Sequence, residues 1–488
     1  MRKIKLTCAA IGAAMVLAGC GMEGADDESI ASAQSALATQ ISSAGSENVV
    51  TTPVLDSSNR HVVVVGYAGE DPDPTLLSYN NNSQQIFRNA SRMSWSRVNV
   101  EANTMTGGTV RPPAGWAAFV GEPAITRNRS NPNMVYLTNV AIPNSKYPTG
   151  GIDGFLTTNA SGYCGYYLGG ACVARSTDDG RTFTVSASDC LANVTTSCPK
   201  GNPYLGSDLE TSPEGRVYAA YLDNSGHVDV YMAPSPTGAF TKLLRRPAIL
   251  TSSSSPRIKY GAGALYLLVE SGVGSLYLTR YNGGASTTGL WTTPVLVGSV
   301  PHDDLFLGNR DRYLHMTEQY DLDIGLNDQG GTEVRVAYID RSPQPDRQLK
   351  VARCTTGSTI TCTRPAAWAT AGSGTKIDPA ITFVPVTFPD GTRLPWAVSW
   401  YDRRSNPSGS TVELWRGALS DSQLSAVRQE PSQEPCPSTS AHWTDYDRMA
   451  AGTDGFTLRG FSNSGTGTCT QARFISSPVR ASLSSWQQ

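Results

Sequence analysis

The stretch Val173-Ala174-Arg175-Ser176-Thr177-Asp178-Asp179-Gly180-Arg181-Thr182-Phe183 decides how the rest of the chain is read. A short apolar strand runs into a turn in which each residue type has a physical reason. Asp178 can accept hydrogen bonds from the turn's own backbone, Gly180 supplies a positive φ, and Phe183 re-enters the sheet to cover the loop. The spacing reads as a folding device closing a β-hairpin, and it predicts an all-β protein.

Outward from this turn, one strand pattern recurs: an apolar run ending in an aromatic or apolar residue with Asp, Asn or Glu close behind. The copies are HVVVVGY from His61, MVYLTN from Met134, RVYAAYLD from Arg216, ALYLLVE from Ala264, EVRVAYID from Glu333, WAVSWYD from Trp396 and FTLRGFSN from Phe456. Most follow a shorter element, such as Glu122-Pro123-Ala124-Ile125 or Asp378-Pro379-Ala380-Ile381, and most precede a third strand. A unit of about 40 to 80 residues with three or four short strands is how a propeller blade appears in sequence. The copies predict a single seven-bladed β-propeller over residues 49–480, with a short tail at 481–488. Six blades is the alternative, in which the first and last copies share one closing blade.

Composition agrees. The 488 residues carry 39 Lys+Arg against 41 Asp+Glu, without the basic excess of a nucleic-acid binder, and 47 Gly with 30 Pro suit a turn-rich β protein. At the N-terminus Arg2, Lys3 and Lys5 precede an apolar run from Leu6 to Leu17, too short for a membrane span of about 20 residues, and the run closes on Leu17-Ala18-Gly19-Cys20. This resembles a bacterial lipobox. The resemblance implies a signal peptide over 1–19, acylation of Cys20 and, with Gly21 in place of Asp, an outer-membrane lipoprotein. Residues 20–48 are small and polar and read as a flexible tether. Eight cysteines lie beyond Cys20, as the couples Cys164/Cys172, Cys190/Cys198, Cys354/Cys362 and Cys436/Cys469. An even number in an exported chain predicts local disulfides, with nearest-neighbour pairing the simplest arrangement.

The turn itself resembles the Asp-box, S-x-D-x-G-x-T-W/F, of sialidases and other Asp-box (BNR-repeat) propellers, through Ser176, Asp178, Gly180, Thr182 and Phe183. The resemblance covers roughly residues 50–480. It implies that the turn joins the two outer strands of a blade, on the face opposite the active site. In the fifth unit Cys354 stands where Ser176 would stand, and a bond to Cys362 would do the work of the hydrogen-bonded turn.

In an up-and-down blade the starts of first strands and the ends of second strands share one face. The starts offer Glu122, Asp208, Glu210, Arg257, His302-Asp303-Asp304, Asp378, Trp443, Asp445 and Tyr446. The ends offer Asn139, Asp223, Glu270, Asp340-Arg341, Trp400-Tyr401-Asp402-Arg403-Arg404 and Asn463. Carboxyl pairs beside flat rings are what glycosidic cleavage needs: one acid for the leaving oxygen, a second base or nucleophile, and rings to stack on the sugar. The expected catalytic groups are Asp402, Asp445 and Tyr446. Trp400, Tyr401, Trp443, Arg403, Arg404, Arg257 and Arg341 are the expected sugar-binding groups. An Asp that ends a strand is also a turn former in its own right, so each acid carries a structural reading as well.

The sequence departs from true sialidases. It has no F/Y-R-I-P signature, and Leu244-Arg245-Arg246-Pro247 does not match it. Nor does it hold G-x-S-x-G, H-E-x-x-H, a P-loop or a dinucleotide fingerprint. With five scattered histidines no metal site is expected, although Asp-rich loops could hold Ca²⁺ through oxygen ligands. The sequence thus predicts a monomeric, lipid-anchored, carbohydrate-directed propeller without cofactor. A non-catalytic binder of glycan or an envelope protein is the alternative.

Overall fold

The computed structural model describes residues 39–40, 52–55, 62–69, 92–99, 104–143, 170–192, 207–222, 227–249, 256–271, 274–301, 319–341, 347–363, 376–385, 396–404, 412–420, 424–433, 442–443, 448–451, 456–464 and 471–478. Among them the chain is an all-β propeller. Seven antiparallel sheets succeed one another along the sequence. Blade one comprises Thr52–Leu55, Val62–Gly69, Arg92–Asn99 and Thr104–Val110; blade two, Trp116–Arg127, Val135–Pro143, Gly170–Ser176 and Cys190–Ala192. Blade three comprises Ser207–Thr211, Val217–Leu222, Val228–Ala233 and Thr241–Lys242; blade four, Arg257–Gly261, Ala264–Ser271, Ser275–Tyr281 and Val295–Ser299. Blade five comprises Tyr320–Leu326, Thr332–Ile339, Leu349–Thr355 and Cys362–Thr363; blade six, Lys376–Phe383, Trp396–Asp402, Val412–Leu419 and Leu424–Gln433.

Blade seven is built from both ends of the chain. Its inner edge is the interrupted pair His442–Trp443 and Met449–Ala451, followed outward by Phe456–Ser464 and Gln471–Pro478. The outermost strand is Thr39–Gln40, with Thr39 opposite Phe474 and Gln40 opposite Arg473. Two residues inside the stretch read as tether are therefore part of the sheet. Each inner strand lies beside that of the next blade, and that of blade seven lies beside that of blade one.

In the inner strands of blades two to seven an apolar residue explains the packing. Ile125, Leu209, Ile258, Leu322, Ile381 and Met449 each turn back onto the preceding blade and join the apolar cluster filling that interface. Burying such a side chain contributes about 1.5–3 kcal/mol, so the core is a series of wedges between blades. The neighbouring positions, at alternating register, turn the other way. They are where the charged residues stand.

The Ser176–Phe183 turn joins strands three and four of blade two. Asp178 Oδ1 accepts from the N–H of Arg181 (3.1 Å) and Thr182 (2.9 Å), and Oδ2 accepts from Thr182 Oγ1 (2.7 Å). Ser176 Oγ accepts from the Gly180 N–H (2.8 Å) and donates to Asp178 Oδ1 (2.7 Å). Partial burial acts against the charge on Asp178, but these bonds outweigh it and hold the carboxyl below its ordinary value. Asp179 and Gly180 both take positive φ, 62° and 75°. Asp179 also binds Arg97 of blade one (2.8 Å) and Arg127 of blade two (2.5 Å), so the turn joins two blades as well as two strands.

Nearest-neighbour disulfide pairing holds in one place and fails in another. Cys354 and Cys362 are bonded across strands three and four of blade five, in register. Cys172 is bonded to Cys190 and not to Cys164, because strands three and four of blade two place Cys172 opposite Cys190. Cys20, Cys164, Cys198, Cys436 and Cys469 lie outside the described residues. No helix among the described residues is long and apolar enough to cross a membrane.

Candidate functional site: the axial mouth

Strands one and two are antiparallel in every blade, so the start of each inner strand opens on the face where strand two ends. On three consecutive inner strands this start carries alternating charge: Asp208 in blade three, Arg257 in blade four and Asp321 in blade five. Two residues further in, the alternation repeats as Glu210, Lys259 and Asp323. Blades two and six have Ala124 and Ala380 at the outer level, both fully buried. The axis is therefore charged along one side and lined by small residues on its flanks.

The acids staple neighbouring blades. Asp208 Oδ2 accepts from the Ile258 N–H (2.8 Å), and Asp321 Oδ2 accepts from the Ile381 N–H (3.0 Å). Asp323 Oδ2 accepts from the Phe383 N–H (2.8 Å) and Thr382 Oγ1 (3.2 Å). Each carboxylate reaches the backbone of the next inner strand, a contact no hairpin could make.

Other bonds cross the axis. Arg448, just before the inner strand of blade seven, donates to Asp208 Oδ1 of blade three (2.6 Å). At the opposite end Arg129, in the turn after the inner strand of blade two, donates to Glu210 Oε1 (3.1 Å) and to the Tyr260 carbonyl of blade four (2.9 Å). Lys259 Nζ lies 3.8 Å from both Glu210 Oε2 and Asp323 Oδ1. Ion pairs thus link the inner strands of blades two to five and seven.

Burial is the largest influence on the two outer acids. It pushes Asp208 and Asp321 each up to about 6, against the opposing pull of Arg257, Lys259 and the backbone N–H groups. Burial also disfavours the Lys259 cation, but Asp323, Glu210, Asp321 and Asp208 together hold it above its ordinary value.

Of the groups expected to be catalytic, Asp402 is part of the core, together with the neighbouring Trp400 and Tyr401. Trp400 and Tyr401 are 0% and 1% exposed, so neither can serve as a sugar platform. Trp400 packs between blades five and six and stacks on Trp415, ring centroids 6.4 Å apart. Asp402, 0% exposed, accepts from Trp400 Nε1 (3.0 Å) and from Arg404 N–H (2.9 Å), Nε (2.9 Å) and an end nitrogen (2.5 Å). The buried Lys376 ammonium lies 3.6 Å away. Asp402 is a corner-fixing carboxylate and not an acid facing an open cleft. Arg404 lies over the Trp415 ring (3.7 Å), and Arg403 is buried. Arg257, at the axis, is buried as well (4% exposed), so among the described members of the expected sugar-binding set Arg341, just past the end of strand two of blade five, is the exposed one.

The Trp443 side chain, Asp445, Tyr446 and His302-Asp303-Asp304 lie outside the described residues. The inner strand of blade five is Tyr320–Leu326, later than those three residues implied. Asp378 stands at a bulge of the blade six inner strand with φ 46°, and Arg459 of blade seven holds both its carboxylate (2.7 Å) and its carbonyl (2.9 Å). Sequence reasoning missed Asp321, Asp323, Lys259, Arg448 and Arg459 as members of the site. The one available signal was the D-L-D and R-I-K alternation on strands one. Among the described residues no group of three or more His, Cys, Asp and Glu side chains could hold a metal ion.

No family model and no curated protein matches the chain. Solved structures similar to it include the α-L-arabinofuranosidase Arb93A from Fusarium graminearum with an iminosugar inhibitor, at 10% identity over 92% of this chain and 99% of that one, TM-score 0.44. The intramolecular trans-sialidase of Ruminococcus gnavus with oseltamivir carboxylate is similar at 11% identity over 80% and 95%, TM-score 0.44. The polysaccharide lyase Uly1 is similar at 9% identity over 89% and 90%, TM-score 0.41.

Proposed function

We propose that this chain is a lipid-anchored propeller of the bacterial envelope that binds carbohydrate at the axial mouth without hydrolysing it. The observation that carries the reading is the fate of the acids. Asp208, Asp321, Asp378 and Asp402 are all buried, and each is engaged by the protein's own donors. A glycosidase needs two carboxyl groups free to face the bond being broken. Carbohydrate as ligand is supported by the likeness of Ser176 to Phe183 to the Asp-box turn. Arg341, exposed just past strand two of blade five on the same face, would suit a hydroxyl-rich ligand. The anchor is supported by Leu17-Ala18-Gly19-Cys20.

A hydrolytic reading retains one specific support. Arg448 reaches Asp208 at the axis, and Asp445 and Tyr446, the acid and phenol expected from the sequence to be catalytic, stand just before Arg448 in the chain. A glycan-binding array and a hydrolysis screen on polysaccharides and aryl glycosides, run on wild type, Asp208→Asn and Asp445→Asn, separate the two. Binding without release of reducing ends, weakened in Asp208→Asn, is expected. Sugar release that disappears in Asp445→Asn at unchanged melting temperature would establish the hydrolase instead. For the anchor, Cys20→Ala is expected to move the protein out of the membrane fraction.

A further inference from the structure

We infer that blade one carries a pairing edge for a second copy of this chain, the outer strand Thr104–Val110 adding antiparallel to its own counterpart. This goes beyond the carbohydrate reading and does not depend on it. Its basis is a comparison of the seven outer strands. An open sheet edge offers unpaired N–H and C=O groups to any extended chain, and proteins blunt such edges by shortening or bulging them or by placing charge or proline there.

Six blades are blunted in these ways. The outer strands of blades two, three and five are Cys190–Ala192, Thr241–Lys242 and Cys362–Thr363, two or three residues each, the first and last also tied back by a disulfide. That of blade four, Val295–Ser299, breaks register with its neighbour. That of blade six, Leu424–Gln433, breaks register twice and holds Arg428, Glu430 and Pro431. In blade seven the edge is the two-residue Thr39–Gln40 on Gln471–Pro478, a strand that holds Arg473 and ends in Pro478.

Blade one is the exception. Thr104–Val110 stands at the end of its sheet and pairs with Arg92–Asn99 over seven consecutive positions, from Thr104 opposite Asn99 to Val110 opposite Met93, without a break in register. Its sequence TMTGGTV has neither charge nor proline, and Thr104, Met105, Thr106, Gly107 and Thr109 are exposed, Met105 by 48%. A Cβ on Gly107 would stand 2.5 Å from the Trp95 carbonyl and one on Gly108 3.1 Å from the Trp95 ring. Packing on Trp95 therefore leaves no room at these two positions for a protective side chain.

Charge favours a second copy as the occupant. Antiparallel pairing of this strand with itself opposes only Thr, Met, Gly and Val, so the like-charge penalty that self-pairing brings to a charged strand is absent. A net charge of −2 on 488 residues adds little repulsion between copies. The pairing joins main-chain groups and covers Met105, but one strand is a narrow interface. Association is therefore concentration-dependent, and the monomer expected from the sequence is the dilute form.

The test is sedimentation equilibrium of the chain from residue 20 onward, with Cys20→Ser so that no acyl group is attached, between about 1 and about 100 μM, with hydrogen exchange at both ends of that range. The mass is expected to rise toward twice that of the monomer, and the Thr104–Val110 amides to gain protection with it. Thr104→Lys/Thr106→Lys, at two exposed positions, is expected to remain monomeric at unchanged melting temperature. Mixing it with Thr104→Glu/Thr106→Glu is expected to restore the dimer. A monomer mass throughout the range overturns the pairing and leaves the edge to a strand of another protein. A dimer that persists in the Lys variant overturns it as well, because the copies then meet elsewhere. Should the Lys variant not fold, protection of Thr104–Val110 that does not change with wild-type concentration overturns it.

Discussion

At the scale of single residues, Asp321 shows how burial and charge compete. Its carboxyl is raised to about 6, against roughly 3.9 in an unfolded chain, so between about pH 4 and pH 6 the native state binds the extra proton. The stabilising contribution of that proton is fully present below about pH 4 and is lost as pH rises through about 6, a change on the order of 3 kcal/mol. Asp321→Asn keeps the acceptor for the Ile381 N–H and removes the titration. Relative to wild type the variant is expected to gain stability on going from about pH 4.5 to about pH 7.5, read as the difference in melting temperature at each pH. A difference that does not change with pH would show an ordinary carboxyl. Trp400 makes the complementary case. Wedged between blades five and six, it is expected to cost about 3–5 kcal/mol when replaced by Ala, read as a lower denaturant midpoint. Its WYD string looked like a sugar platform because aromatic and acidic residues side by side have the same letters in a core corner as in a cleft. Only the neighbouring blade tells the two apart.

At the scale of strands, the second strand of each blade was the most legible element. Packed on both faces, it appears as an unbroken apolar run such as ALYLLVE, and every recurring string falls on a second strand. The inner strand of blade five was not found, since Tyr320-Asp321-Leu322-Asp323-Ile324 alternates charge with apolar residues and reads as a half-solvated edge. Its charges face Arg257 and Lys259 of the neighbouring inner strand. Arg448 and Asp208 are far apart in the chain, and no local pattern announces their contact. The cysteines follow the same rule. Eight residues suffice to turn strand three into strand four of blade five, so sequence neighbours bond, whereas the longer turn of blade two puts Cys190 and not Cys164 opposite Cys172. Both bonds hold the outer edge of a blade. Loop lengths of 8 and 18 residues set the expected loss on Cys354→Ser or Cys172→Ser at roughly 2–3 kcal/mol, somewhat more for the longer loop. Denaturant melts of the single variants check it, and no loss would mean that the outer strand frays before the blade unfolds.

At the scale of the whole molecule, the ring is held by apolar wedges, by axial ion pairs and by the strand from the N-terminus that completes blade seven. The last of these is expected to matter out of proportion to its length, because it alone makes the final sheet depend on both ends of the chain. A truncation that begins after Gln40 is expected to melt about 1–2 °C below one that begins a few residues before Thr39, because a loss of about 1–2 kcal/mol is set against the large unfolding entropy of so long a ring. Equal melting temperatures would show that the strand decorates the ring without closing it. The same strand bears on life at a surface. If the lipid sits at Cys20, the molecule hangs from the membrane by the segment that latches it, and drag on the propeller is transmitted as shear between Thr39–Gln40 and Gln471–Pro478. Flow or a pulling partner would then act first on the latch of the ring and last on the inner strands at its axis. The anchoring strand is in this sense a mechanical fuse.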